Sequence, residues 1–318
     1  MTSSDISMVA LVTEYLALRR GLGFDLRVQG WLLLDFARYA DEIGHHGPIT
    51  IDIATRWATV SKSSPVSIAQ RLSVVRQFAR HRLAFDPSTE VPPAGLLGCP
   101  VRRKPPHIYA DAEIAELLRV AATVRPREGL RPQTYIALFS LLASTGLRIS
   151  EARHLTHQDV DLGAGILVIR ETKFRKSRLV PLHPSAVMAL QRYAALRDGF
   201  PDTARSEFFF RTDHAAALRK RAVESTFSRL RIRLGWDAQG RARCPRIHDL
   251  RHTFAVRRLL RWYDEGSDVD AKVVSLSTYL GHAKVTDTYW YLSAIPELLA
   301  VTSRRFEHFA RGEGEEVQ

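Results

Sequence analysis

The sequence predicts a mainly α-helical protein with one small β-hairpin or sheet, an α+β fold class, split into an N-terminal helical domain and a larger second domain. Three observations predict this. Apolar residues recur at three- and four-residue intervals along most of the 318 residues. One segment, ILVIRETKFRKSRLVPL, is β-rich on both sides of a polar turn. The stretch VPPAGLLGCPVRRKPPH at 91–107 holds five prolines and two glycines, too many breakers for a helix or a central strand. The expected division is therefore a helical domain over 1–90, a linker over 91–107, a second domain over 108–311 and a tail over 312–318.

In chain order, 7–20 carries Val9, Val12, Tyr15 and Leu16 on one helical face and stops at Gly21 and Gly23. A second helix over 28–43 repeats the pattern with Trp31, Leu34, Phe36, Tyr39 and Ile43, and ends at Gly44. A shorter helix covers 51–60. Pro65, at a first-turn position, opens a fourth with Ile68, Leu72, Val75 and Ala79 on one face. The opposite face carries Arg71, Arg76, Arg80 and Arg82, which reads equally as a DNA-backbone face or a solvated one. Beyond the linker, Asp111 is placed to cap a helix with Ile114, Leu117, Leu118 and Ala121. A further helix spans 132–144, the hairpin pairs 166–170 with 178–182, and everything after Pro184 reads as helical again.

Composition narrows the function. Hydrophobic residues make up 45% and charged residues 25%, as in ordinary globular chains. No apolar run approaches the roughly 20 residues of a membrane helix. The N-terminal stretch has acids at Asp5 and Glu14 and no basic leader, which argues against a signal peptide and for a cytoplasmic, nucleoid-associated protein. Cys99 and Cys244 form no CxxC pair, so a disulfide framework or thiolate zinc site is not expected. The formal charge of +12 points to a polyanionic partner. It is localised: residues 1–100 hold ten basic against nine acidic side chains, whereas 219–261 hold thirteen against three. Arg219, Lys220, Arg221, Arg229, Arg231 and Arg233 form the start of that segment and are candidate DNA contacts, with Phe227, Leu230 and Leu234 turned inward.

Four arrangements could carry chemistry. In STGLRISEARHL, Gly146 ends one helix and Ser150 caps the next, leaving Arg148 in the turn, where its planar fork can face a phosphate or merely solvent. Lys173 sits at the hairpin tip. In CPRIHDLRHTF, Pro245 starts a helix on which His248 and Arg251 share a face. His248, Asp249 and His252 also make H-D-x-x-H, a near miss to a zinc helix, which Arg251 opposes by its charge. In YLGHAKVTDTYWYLS, Gly281 breaks a helix, His282 follows, and Tyr279, Tyr289 and Tyr291 are each possible nucleophiles if cations ease loss of the proton.

Taken together and in order, these arrangements resemble the phage integrase family, the tyrosine recombinases, over roughly 107–310. TGLRISEA resembles the family's first box, which makes Arg148 the first catalytic arginine and Glu151 its supporting acid. TKFRKSRLVPL is similar to the hairpin bearing the catalytic lysine, mapping it to Lys173. HDLRHTFA resembles the second box, with His248 and Arg251, and LGHAKVTDTYWY the third, with His282. The family's nucleophile lies nine residues after that histidine, which selects Tyr291. A stretch before the third box, DEGSDVDAKVVSLSTY, is a few residues longer than in common members.

The resemblance implies site-specific recombination, as by a mobile-element integrase or transposase-like enzyme. Tyr291 attacks a backbone phosphate to give a 3′-phosphotyrosine and a free 5′-hydroxyl. Arg148 and Arg251 stabilise the transition state, Lys173 is general acid to the leaving 5′-oxygen, His248 is acid/base to the tyrosine or phosphate, and His282 donates a hydrogen bond to the phosphate. No cofactor, metal or ATP is expected. The implied partners are double-stranded DNA sites, a homotetramer on two duplexes with a monomer or dimer off DNA, and possible accessory proteins. The N-terminal helices are then the core-binding half of the family's clamp, and an apolar tail helix over 296–308 docks in a neighbouring protomer. The alternatives are type IB topoisomerase-like resealing, a catalytically silent DNA-binding protein and a metal hydrolase.

Overall fold

The computed structural model describes residues 6–61, 63–98, 105–126, 129–170, 177–200, 206–212, 217–237 and 244–294, with side chains as far as 291. The chain forms two compact units, Met1–Arg103 and Lys104–Gln318. Lys173 and the tail over 296–308 lie outside the described residues. No helix among the described residues is long and apolar enough to cross a membrane.

The first unit holds α1 (Met8–Gly21), α2 (Arg27–Glu42), α3 (Ile51–Val60) and α4 (Pro65–Arg82). Ser7, Thr50 and Ser64 each accept a backbone N–H of the helix they precede, satisfying donors that helix starts leave unpaired. Asp41, near the end of α2, accepts from the Met8 and Val9 amides at 2.7 and 3.1 Å, tying α1 to α2. The core gathers Val12, Leu16, Leu33, Phe36, Ile53, Trp57, Val75 and Phe78. Here α2 departs from expectation. Trp31 is 60% exposed and Ile43 is exposed, because the buried stripe runs through Leu32, Leu33, Phe36, Ala37 and Ala40.

The second unit is built on α6 (Arg131–Thr145), which packs against α5 (Asp111–Ala121), α8 (Pro184–Asp198) and α10 (Asp249–Asp264). Pro132 lies in the first turn of α6, and Leu138, Phe139 and Leu142 fill its core faces. The sheet has three antiparallel strands in the order β1 (Val160–Asp161), β2 (Ile166–Ile169) and β3 (Arg178–Pro181). The hairpin is β2–β3, with Ile169 opposite Arg178. The short β1 was not anticipated. Residues 206–212 and 217 are not helical either: Phe208 and Arg211 make isolated bridges to Thr156 and Ala217. The remaining helices are α7 (Ile149–Arg153), α9 (Lys220–Arg233), α11 (Val269–Leu280) and α12 (Thr286–Ala294). A second core cluster, including Val256, Leu259, Val273, Leu276 and Tyr291, joins α10, α11 and α12.

Three helix starts differ from the sequence reading. Ala110 rather than Asp111 is the N-cap of α5, and Arg148 rather than Ser150 that of α7. Helix α10 begins at Asp249, four residues after Pro245, with His248 as its N-cap. In the first two, an acid three residues inside the helix reaches back to the cap amide: Glu113 Oε2 accepts from Ala110 N and Glu151 Oε2 from Arg148 N. Each carboxylate satisfies the cap residue's own amide, the half of a capping box that the N3 side chain supplies.

Candidate active site

Two glycines set the frame. Gly146 at φ +64° ends α6 and Gly281 at φ +69° ends α11. A side chain at either would also collide: a Cβ at 146 would lie 2.7 Å from Phe254, and one at 281 would lie 2.6 Å from Arg178. The C-terminal carbonyls of these helices hold the arginines. Arg251, 3% exposed, donates through Nη1 to the Gly146 carbonyl and through Nη2 to the Leu280 carbonyl, both at 2.8 Å. Arg148 donates through Nη2 to the Gly281 carbonyl at 2.8 Å and through Nη1 to Glu151 Oε1 at 2.8 Å.

Glu151 is the hub. Arg178 on β3 grips it with two hydrogen bonds, 3.2 Å to Oε1 and 2.9 Å to Oε2, while its Nε donates to the Tyr279 carbonyl at 2.7 Å. Burial alone would raise the Glu151 carboxyl pKa, but Arg178 and Arg148 together outweigh it and hold the group ionised below the usual range. Arg178 thus ties the strand to the first and third boxes. Sequence reasoning passed over it, although it stands in the segment quoted for Lys173.

Tyr291 is 2% exposed, and its hydroxyl lies 2.8 Å from Nδ1 of His252. The second missed residue is therefore His252, weighed in sequence only as a metal ligand. The ring of His248 lies 4.9 Å from that of His252, edge to face. His282 pairs through Nδ1 with the Thr288 hydroxyl at 2.7 Å, and its ring lies 6.5 Å from that of Tyr291. Arg148, Glu151, Arg251, His282 and Tyr291, distant in sequence, thus share one neighbourhood with His248. Among the described residues no group of three or more His, Cys, Asp or Glu side chains is arranged to hold a metal.

The site is electropositive. His248 is accessible but set in a crowded recess, and that crowding, then Arg251 and Arg246, pushes its pKa down to about 4. Burial, followed by His248 and Arg246, pushes His252 down to about 3, and burial with Arg251 and Arg148 takes His282 to about 4. Arg251 is lowered to about 10 by burial and Arg148, and so stays charged. These histidines are held neutral in the folded chain, so the unfolded chain binds more protons between their folded values and 6.5. Stability is then lost as pH falls below about 6.5, by up to about 2 kcal/mol for each of His252 and His282 at pH 5. Melting temperatures taken between pH 7.5 and 5 are expected to fall, and to fall less in His252→Asn. Equal slopes in the two proteins would contradict the assignment.

The candidate DNA contacts divide. Arg71 is used internally: it donates to Ser61 Oγ, Asp35 Oδ2 and the Trp57 carbonyl, and stacks 4.2 Å over the Trp57 ring. Arg76 donates to the Pro92 and Pro93 carbonyls at 2.7 and 2.8 Å, holding the following segment on α4. A helical wheel does not reveal this, because long side chains fold back onto neighbours. Arg80 is exposed. On α9, Arg219, Lys220, Arg221, Arg229 and Arg233 are exposed and Arg231 is half-buried. Lys220 has Glu224 at 3.6 Å, Arg229 donates to Thr226 and Arg233 to Thr123. Phe227 and Leu230 are buried beneath them.

Residues 110–297 match the phage integrase family. The chain is 42% identical over 303 residues to the integrase/recombinase y4rB of Sinorhizobium fredii, covering 93% of this chain and 96% of that one. It is 30% identical over 243 residues to tyrosine recombinase XerD of Brucella abortus, 74% of each chain. In fold it is similar to the Tn1549 transposon integrase in complex with transposon right-end DNA, with a TM-score of 0.68, 17% identity, and coverage of 95% of this chain and 100% of that one. With a family match over more than half its length and relatives aligned over nearly all of it, the chain belongs to the phage integrase family and is a tyrosine recombinase.

Proposed function

We propose that this recombinase cleaves and rejoins DNA at specific sites with Tyr291 as nucleophile and the two arginines as the phosphate-binding pair. The observation that carries the reading is the convergence of Arg148, Arg251 and His282 beside the buried Tyr291, with both arginines braced from the ends of α6 and α11. The scissile phosphate lies against the free faces of the Arg148 and Arg251 guanidiniums. They stabilise the charge that gathers on its non-bridging oxygens as phosphorus becomes pentacoordinate. With the Thr288 hydroxyl donating to Nδ1 of His282, Nε2 of that ring carries the proton and donates to the phosphate. Lys173 protonates the leaving 5′-oxygen. Keeping the phosphate bond energy in a phosphotyrosine lets a 5′-hydroxyl reseal the strand without an energy source.

The exposed cations of α9, chiefly Arg219, Lys220, Arg221 and Arg229, follow the DNA backbone, with affinity falling steeply as salt rises. Recombination between two duplexes further implies a tetramer on DNA, and the 42% identity to an integrase/recombinase supports a mobile-element role. The test needs no known target. Protein purified from cells under denaturing conditions with chelator present is expected to carry covalently attached DNA of discrete sequence. Attached DNA absent under those conditions would overturn the reading, and recombined product from paired copies of the recovered sequence separates recombination from resealing in place.

A further inference from the structure

At the other end of α6 from Gly146, four guanidiniums converge on one recess. Arg125 ahead of α6, Arg131 in its first turn, and Arg229 and Arg233 on α9 line a space of about 140 Å³ together with Val124, Thr226 and Leu230. About five water molecules fill that volume in the liquid. The 15 residues of α6 put the recess about 22 Å from the helix end that braces Arg251. Neutral partners aim the cations. Arg229 Nη2 donates to Oγ1 of the buried Thr226 at 3.1 Å, and that hydroxyl donates to Tyr135 Oη at 3.2 Å. Arg233 Nη1 donates to Thr123 Oγ1 at 3.2 Å, and the Arg131 guanidinium lies 5.8 Å from the centre of the Tyr135 ring. Nε of Arg131 is buried without a hydrogen-bond partner. Among the described residues no acidic side chain lines the recess.

Like charges gathered without an acid repel one another, and Arg229 and Arg233 stand one helical turn apart, an unfavourable pairing unless an anion lies between them. The kind of anion follows from the number of forks. Each guanidinium can give two parallel N–H bonds to a pair of oxygens. A phosphodiester of DNA brings a single charge and two free oxygens, enough for one fork. A diphosphate brings several charges and at least five free oxygens, enough to engage the cluster from one compact group. Val124 and Leu230, the apolar part of the lining, offer neither a hydrogen bond nor an aromatic face to a base, so recognition falls on the phosphoryl oxygens. The geometry points to a second anion site, apart from the cleavage site, that binds the diphosphate group of inorganic pyrophosphate or of a nucleoside diphosphate.

The test titrates the full-length protein with sodium pyrophosphate and, separately, with ADP in a calorimeter at physiological salt. Arg229 also stands in the row of α9 cations assigned to DNA, so the variants are made at the two arginines outside that row. Arg125→Gln combined with Arg131→Met, in which methionine keeps an apolar stem against Tyr135, is expected to weaken pyrophosphate binding by about 10²-fold, about tenfold for each guanidinium lost. Covalent attachment of the same variant to DNA is expected to stay within a few-fold of the unaltered protein. If the double variant melts early, Arg131→Lys takes its place: it keeps the charge, loses the fork, and is expected to bind pyrophosphate several-fold more weakly. Either order of affinity supports the site, tighter ADP naming a nucleotide as the source and tighter pyrophosphate the free anion. Pyrophosphate that does not bind, or that binds the variants as it binds the unaltered protein, as it would if held at Arg148 and Arg251, overturns the inference. So does a loss of DNA attachment in step with the loss of pyrophosphate, which would return these arginines to the DNA surface.

Discussion

Tyr291→Phe is expected to reduce covalent attachment to DNA below detection, while Tyr289→Phe and Tyr279→Phe leave it within a few-fold of the unaltered protein. The expectation follows from where the three hydroxyls point. Tyr279 stacks on Phe254 at 5.6 Å between ring centroids, and burial pushes its pKa up to about 12, away from the phenolate a nucleophile needs. Tyr289 is 40% exposed and its hydroxyl turns away to donate to Asp270. Tyr291 alone of the three has its ring beside both His252 and His282. Removing its hydroxyl leaves Nδ1 of His252 without that partner, at a cost of about 1–3 kcal/mol, so the Phe variant remains folded and its loss of attachment is chemical. Denaturant unfolding and gel detection of the protein–DNA adduct, run on the same samples, check both halves. Adduct retained in Tyr291→Phe and lost in Tyr289→Phe would move the nucleophile two residues upstream.

Arg178→Met is expected to cost about 3–5 kcal/mol of folding stability, because it strips a buried carboxylate of its bidentate partner. Glu151 has a side chain only 5% exposed and would retain only Arg148, on one oxygen by side chain and on the other by its amide. The same change frees the Tyr279 carbonyl and unties β3 from the loop that carries Gly281 and His282. Arg148, held through Glu151, then loses its fixed aim, and displacements near 1 Å in such a site cost roughly 10² in rate. Cleavage should therefore fall even at temperatures where the variant is fully folded. A double variant, Arg178→Met with Glu151→Gln, should be more stable than Arg178→Met alone, since it removes the orphaned charge, yet it should remain slow. Independent, additive losses of stability in the two single variants would show that the pair is not coupled as described.

The sequence carried the helices, the hairpin and the order of the boxes, because those signals are local: periodicity, breakers and short motifs. It also carried Arg148, Glu151, His248, Arg251, His282 and Tyr291 as a set, since the resemblance supplied their relationship. What it could not carry were partnerships made only on folding. Arg178 finds Glu151 across 27 residues and Tyr279 across 101. His252 finds Tyr291 across 39, and no spacing rule links them. The same limit explains Arg71 and Arg76, whose helical register was right but whose guanidiniums turn back to Asp35, Trp57 and the prolines after α4. At two residues, β1 is too short for an alternation to register.

The bracing of the arginines by backbone carbonyls has an electrical meaning. The C-terminal ends of α6 and α11 each present roughly half a negative charge, and both abut guanidiniums, through Gly146 to Arg251 and through Leu280 and Gly281 to Arg251 and Arg148. Set beside the ionised Glu151, these fixed charges offset about two of the three positive charges of Arg148, Arg178 and Arg251. A surplus near one unit is left, which is the charge of an internal phosphodiester. Because half of the compensation comes from main chain, side-chain replacement cannot remove that half without unwinding a helix end.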